Sequence, residues 1–228
     1  MNIYLVLYFG STYEQRDFDK TESTYYQNTG YSVGSFALGY ETKAWNNLKL
    51  TSKFRAYKTI FEDDKHSTTS HGTGDASERF YEDGNNKTVD IEELYLTFTP
   101  SNNISIKAGR QFISSHWVNK TNDAVKIDVA FGDTSVEAIW AMRHGRVYSR
   151  DYRPMTRTNE KKGVYQVALT HKFNDMISAT AYDYVVPTTR SIYGGKFDLA
   201  LKNANVSAHY ATNKEKDNST ESSLIHYG

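Results

Sequence analysis

The sequence predicts an all-β protein, an antiparallel up-and-down transmembrane β-barrel, and three observations predict it. Apolar and polar residues alternate with a period of two in one segment after another, which is the pattern of strands that are apolar on one face only. In residues 94–112, Leu94, Leu96 and Phe98 oppose Tyr95, Thr97 and Thr99; Ile104, Ile106 and Ala108 then oppose Ser105, Lys107, Gly109 and Gln111. Hydrophobic residues make up only 38% of the chain while aromatics reach 14%, with 18 Tyr and 3 Pro. That balance suits strands with one polar face and amphipathic rings at their ends, and it does not suit disorder. Finally, short turns alternate with polar loops that are mostly much longer. An outer-membrane barrel has this asymmetry, whereas a single hairpin would fit a soluble sandwich equally well.

The elements follow in order. Residues 3–13 read as a strand that is apolar on both faces at its start, and residues 14–30 as a Tyr-rich polar loop. In residues 31–42, Phe36, Leu38 and Tyr40 alternate with Ser35, Ala37, Gly39 and Glu41, and Asn46-Asn47 supplies turn chemistry. Residues 48–57 set Leu48, Leu50, Ser52, Phe54 and Ala56 against Lys49, Thr51, Lys53, Arg55 and Tyr57, so the polar face is cationic. Residues 61–87 form a long polar loop. The hairpin at 94–112 is expected to turn over residues 99–103, where Pro100 lacks an N–H.

Residues 113–122 read as a medium loop holding His116 and Trp117. In 124–130, Val125, Ile127 and Val129 oppose Lys126 and Asp128, and 131–134 is a tight turn. In 135–143, Val136, Ala138, Trp140 and Met142 oppose Glu137, Ile139, Ala141 and Arg143; Ile139 breaks the pattern. Residues 144–163 read as a long basic loop. In 164–172, Tyr165, Val167 and Leu169 oppose Gln166, Ala168 and Thr170, while 177–186 is a strand whose facing stays unassigned. Tyr193, Phe197, Leu199 and Leu201 then oppose Lys196, Asp198 and Lys202; Val206, Ala208 and Tyr210 oppose Ser207 and His209. Residues 213–222 form a loop, and 223–228 begin a last strand. The total is about twelve strands, the longer ones near the roughly 9–11 residues that cross a bilayer when tilted. Aromatics at strand ends fit two interfacial girdles: Tyr40, Trp45, Phe98, Phe131 and Phe173 near the turns, Phe61, Phe112 and Tyr148 near the loops.

Lysine plus arginine equals aspartate plus glutamate at 27 each, so net charge gives no case for a nucleic-acid partner. There are no cysteines, hence no disulfide, thiolate metal site or cysteine nucleophile. No run approaches the roughly 18 apolar residues of a spanning helix. The first ten residues, MNIYLVLYFG, lack the basic segment and cleavage site of a secretory signal.

Four segments carry a family resemblance: GRQ at 109–111, AWNNLKL at 44–50, FGDTSVEAIWA at 131–141 and RDYRPM at 150–155. They resemble the Opr-type outer-membrane porins of epsilonproteobacteria, related to the OprD-like channels. The resemblance covers most of the chain, with motifs of moderate specificity. It implies a Gram-negative outer-membrane barrel of about sixteen to eighteen strands, often a homotrimer. Such a barrel carries small hydrophilic solutes and ions by passive diffusion through a water-filled channel, with no cofactor and no enzymatic activity. The chain lacks a signal peptide and ends at His226-Tyr227-Gly228 in place of a strand closing on an aromatic residue. Residues 1–228 are therefore expected to be one barrel domain incomplete at both ends, with about four to six strands missing.

The polar faces supply the pore-lining candidates: Lys49, Lys53, Arg55, Tyr95, Lys107, Gln111, Lys126, Arg143, Lys196 and Lys202, with Glu41, Glu93, Asp128, Glu137 and Asp198 as counter-charges. Opposed charges on a pore wall bias ion selectivity. Basic ladders in OprD-like channels imply a conduction role for Lys53, Arg55 and Lys107, expected to form a cationic strip facing Glu93 and other carboxylates. For any one of these residues the bland reading is a solvated interior wall. His116, Trp117, Asn119 and Lys120 are the constriction-loop candidates. The basic loop at 144–162 is either an outer loop meeting lipopolysaccharide phosphates or an inward-folded constriction. Phe36, Leu38, Phe54, Leu94, Leu96, Phe98, Ile106, Val125, Ile127, Val129 and Leu199 are expected to face lipid.

No metal-ligand spacing relates the seven histidines; His66 and His71 beside Asp63 and Asp64 are the one weak cluster. No GxSxG, P-loop or GxGxxG is present, and Ser207 with His209 is only a hint of a nucleophile and base. Asn-x-Ser/Thr matches such as 86–88 and 119–121 read as chance. The alternative to a porin is a surface β-barrel or sandwich acting as an adhesin or glycan-binding module. Charges of both signs in mid-strand, at Lys53, Arg55, Glu93, Lys107 and Asp128, favour the porin.

Overall fold

The computed structural model describes residues 2–14, 29–62, 68–69, 72–73, 89–149 and 151–215. Its strands are β1 (Asn2–Glu14), β2 (Thr29–Glu41), β3 (Leu48–Glu62), the two-residue pair β4 (Thr68–Thr69) and β5 (Gly72–Thr73), β6 (Val89–Ser101), β7 (Ile104–Ser114), β8 (Asn119–Phe131), β9 (Thr134–Tyr148), β10 (Asp151–Arg157), β11 (Val164–Lys172), β12 (Ile177–Val186), β13 (Arg190–Leu201) and β14 (Ala204–Glu215). No helix occurs among the described residues. Apart from the β4–β5 pair, twelve strands make one sheet, in the order β1-β2-β3-β6-β7-β8-β9-β11-β12-β13-β14, with β10 folded back on β9. Sheet order thus follows chain order, the up-and-down topology expected from the alternation of turns and loops.

Turn chemistry sets several of the reversals. Asn46 and Asn47 both take positive φ, 47° and 65°, and Trp45 and Leu48 exchange backbone hydrogen bonds of 2.8 and 2.9 Å across them. Two left-handed central residues match the twist of a tight hairpin, and asparagine tolerates that conformation better than most residues. Gly132, at φ 58°, plays the same part between β8 and β9. Pro100 does not stop its strand: β6 continues to Ser101, leaving only Asn102 and Asn103 as the turn.

Two expected loops are largely strand. The supposed loop at 113–122 shrinks to four residues, with Ser115 donating its N–H to Val118 O at 3.0 Å and β8 starting at Asn119. The supposed basic loop at 144–163 is a continuation of β9 to Tyr148 followed by β10. About twelve strands are expected, and the main sheet has twelve among the described residues, β10 being one the sequence pattern does not announce; the strand read at 223–228 lies outside the described residues. Most of the loops read at 14–30 and 61–87 lie outside them too.

The chain divides into two compact units, residues 1–43, 51–94 and 145–155 in the first, and 44–50, 95–144 and 156–228 in the second. In the first, Leu5, Leu7, Phe36, Leu38 and Phe54 are exposed at 43–72%, while Ser35, Thr51 and Arg55 are buried. Register carries the apolar face across strands, pairing Leu5 and Phe54 with Leu38. In the second, Leu96, Phe98, Ile127, Val167, Leu169 and Phe197 are exposed, while Gln111, Thr121, Asn122, Gln166 and Thr180 are buried. Leu94 is exposed as well; Ile106, Val125, Val129 and Leu199 are half-buried. Each unit therefore buries its polar face and exposes its apolar one, the reverse of a water-soluble domain.

Two features that the period of two left open are settled here. β12 turns Thr180 and Tyr182 to the buried face, with Ala181 and Asp183 exposed. Ile139, the irregular residue of β9, is 3% exposed in a small apolar cluster with Ile113, Val118, Ala124, Ala141 and Val164. It packs the start of the β7–β8 turn onto the polar face.

Candidate lumen wall and constriction

In the first unit, the segment 145–155 leaves β9, returns through β10 and lies on the polar face of β2, β3 and β6. Its backbones come close, since a side chain at Gly145 would meet Arg153 O at 2.9 Å. Ser149 O accepts from Ser35 Oγ at 2.7 Å, and Ser35 Oγ accepts in turn from Arg55 Nη1 at 2.8 Å. Tyr152 donates to Asp90 Oδ2 at 3.2 Å and its ring lies 4.8 Å from that of Tyr57. Tyr31, Val33, Val147 and Met155 complete the packing. The stretch is packed rather than free of the sheet: Val147 and Tyr152 are buried.

Arg55 sits beneath this segment, 1% exposed, with Nε 2.7 Å from Glu92 Oε2; Lys53 Nζ binds the other oxygen at 3.0 Å. Glu92, next to the expected Glu93, is thus the carboxylate that binds both cations. Asp90 and Glu92 share the face of Tyr152 and Arg55, whereas Leu94, Leu96 and Phe98 are exposed on the other. All five are even-numbered, so facing changes across Glu93, as it does where a ladder carries an irregularity. Glu93 itself is half-buried. Arg55 and Lys53 thus share one carboxylate.

In the second unit, the Ser115–Val118 turn lies on the polar faces of β9, β11 and β12. Gln166 Oε1 accepts from the backbone N–H of Trp117 and Val118 at 2.9 and 3.3 Å, and Ser115 Oγ donates to Glu137. His116 stacks on Tyr182 with ring centroids 4.6 Å apart, and Trp117 lies 6.3 Å from Tyr184. His116 and Trp117 therefore pack against rings of β12, while Asn119 is exposed and Lys120 takes a strained φ of 64° at the start of β8. His116 belongs to the turn, and burial holds its imidazole below the ordinary histidine value, with Glu137 opposing the shift.

Beside the turn is a cavity of about 700 Å³ whose lining includes Ser115, His116, Asp128, Glu137, Lys196 and His209. Lys126 bridges Asp128 at 2.8 Å and Glu137 at 2.9 Å; Lys196 holds Asp198 at 2.7 Å. Elsewhere Lys107 stands 5.7 Å over the Tyr95 ring, and Gln111, buried, donates to Ala124 O at 3.1 Å. Arg143 lies 3.7 Å from Asp123, which also holds Arg110 at 2.8 Å. Lys49 is half-buried. The sequence reading missed Glu92, Asp123, Gln166 and Tyr182: the first through the shift of facing, the rest because only tertiary contact gives them a role. No group of three metal-ligating residues occurs among the described residues; His66 and His71 lie outside them.

Neither a family model nor a curated protein matches this sequence. Solved structures do match. Pseudomonas aeruginosa OccD3 (OpdP) superposes over 93% of this chain and 48% of its own, at 12% identity and a TM-score of 0.58. Pseudomonas aeruginosa OpdQ gives 97% and 57%, at 10% identity and 0.55. Pseudomonas aeruginosa OprD gives 97% and 51%, at 10% identity and 0.51. The fold is that of the OprD and Occ porins. The chain spans about half the length of these structures.

Proposed function

We propose that the chain forms wall and constriction of an outer-membrane porin, a water-filled channel for small hydrophilic solutes and ions. The observation that carries this reading is the inverted burial: large apolar side chains stay exposed on one face while charged and amide side chains are enclosed on the other. Water-soluble sandwiches bury the opposite set, and the adhesin alternative offers no reason for enclosing Arg55, Glu92 and Gln166. The shared fold with OprD-type structures supports the channel reading, and an outer-membrane location belongs to it. The single-barrel organisation, the pore-lining roles of the polar-face residues and the Opr-type affinity are parts of the same proposal.

Within it, the 145–155 segment lines the polar face of the first unit, and the Ser115–Val118 turn that of the second. Purified protein inserted in planar bilayers is expected to give stepwise ohmic conductance, and liposomes containing it to swell in small sugars or amino acids. Folded, inserted protein that gives neither would refute the reading.

A further inference from the structure

His116 and His209 are 93 positions apart in sequence and come together on one wall. Their ring centroids are 6.4 Å apart, and Tyr182 links them, stacking on His116 and bonded through its hydroxyl to His209 Nε2. Both histidines line the cavity beside the Ser115–Val118 turn. The charges facing them come from three strands: Lys126 and Asp128 from β8, Glu137 from β9, Lys196 and Asp198 from β13. β11 contributes Gln166, which has no charge to titrate, and β12 contributes Tyr182.

We propose that His116 and His209 form a proton-operated selectivity switch in the channel wall, an inference that rests on the porin reading above. The permanent charges of the cluster nearly cancel, three carboxylates against two lysines, and all five are engaged in ion pairs. With neutral imidazoles the cluster carries one net negative charge. With both protonated it carries one net positive charge. The sign of the local field is therefore decided by the charge on the two imidazoles. Small fixed charges on a narrow wall set which ion is enriched there.

Protonation also changes the stack. One imidazolium over the Tyr182 ring gains a cation–π contact, but two imidazoliums separated by 6.4 Å repel each other. Sign fixes the direction: histidine gains its proton as pH falls, so anion preference grows on the acid side. Because burial lowers the His116 value, its half of the change falls below pH 6.5.

The experiment is the reversal potential of the intact protein in planar bilayers under a potassium chloride gradient, from about pH 8 to about pH 5. The wild type is compared with His116→Gln/His209→Gln. The expected result is a wild-type shift toward the chloride equilibrium potential on acidification, larger at low salt, and a flat profile in the double variant. A wild type that does not shift, or a double variant that shifts equally, overturns the switch while leaving the porin intact. Channels absent altogether would overturn the porin reading and the switch with it. Since His209 holds the Tyr182 hydroxyl, His116→Gln alone serves if the double variant does not insert. It should lose about half of the shift, and an unchanged shift overturns the proposal.

Discussion

Replacing Glu92 by glutamine should be among the most damaging conservative changes in the first unit. Arg55 has a side chain only 1% exposed and Glu92 one only 8% exposed, and their 2.7 Å contact is supplemented by Lys53 on the second carboxylate oxygen. The glutamine keeps the shape and one acceptor but removes the charge, so a buried guanidinium loses its counter-ion. Breaking one side of such a pair costs about 3–5 kcal/mol, chiefly from the cation left behind. Ser35 softens the loss only slightly, because its hydroxyl also donates to Ser149 O.

The assay is urea unfolding of the protein folded in lipid vesicles. With a slope of about 3 kcal/mol per molar, the midpoint should fall by about 1–1.7 M. The paired replacement Arg55→Met/Glu92→Leu removes both charges and should recover most of that, since an apolar pair of similar volume often matches a buried ion pair. A Glu92→Gln loss below about 1 kcal/mol would show that water reaches Arg55 and that 145–155 does not cover it.

Further expectations concern the two faces. Leu38→Lys and Phe54→Lys, paired side chains on the exposed apolar face, should each cost about 2–4 kcal/mol in vesicles if they sit near the bilayer midplane; costs near zero in the same urea assay would place that face in water. Removing charge at Lys53, Arg55 and Lys107 together should move the reversal potential toward cation preference, more at low salt where screening is weaker. Most of that movement should trace to Lys107→Gln, because Lys53 and Arg55 share Glu92. Arg55→Gln alone should instead lower the urea midpoint, and the converse result would put Arg55 in the conduction path.

The period of two made the faces legible in β2, β3, β8 and β11, because register ties each strand's parity to its neighbours and a slip would turn every side chain over. It says less about β6. Nothing local reports that Asp90 and Glu92 lie with Tyr152 and Arg55 while Leu94 is exposed, so Glu92 is not singled out. β10 was hidden for another reason: RDYRPM holds three charges and a proline in six residues, so its period is masked. Ile139 looked like a flaw and is the docking point of a turn. The His116–Tyr182–His209 group leaves no local trace, since its members come from the β7–β8 turn, β12 and β14.

What the sequence could not separate are the two tasks a polar residue performs on such a wall. A segment folded inward brings backbone N–H and C=O groups away from bulk water, and each needs a partner. The turn at Ser115–Val118 finds them in Gln166, and the segment 145–155 in Ser35, itself held by Arg55. Gln166 and Arg55 are 1% exposed as a result. Lys196 and Asp198 remain a third exposed. Permeation should therefore respond to the half-exposed charges and to the titratable rings beside them, and the geometry of the passage to the buried anchors. Two residues of the same type, such as Lys53 and Lys196, fall on different sides of that division because burial and partner, not identity, decide it.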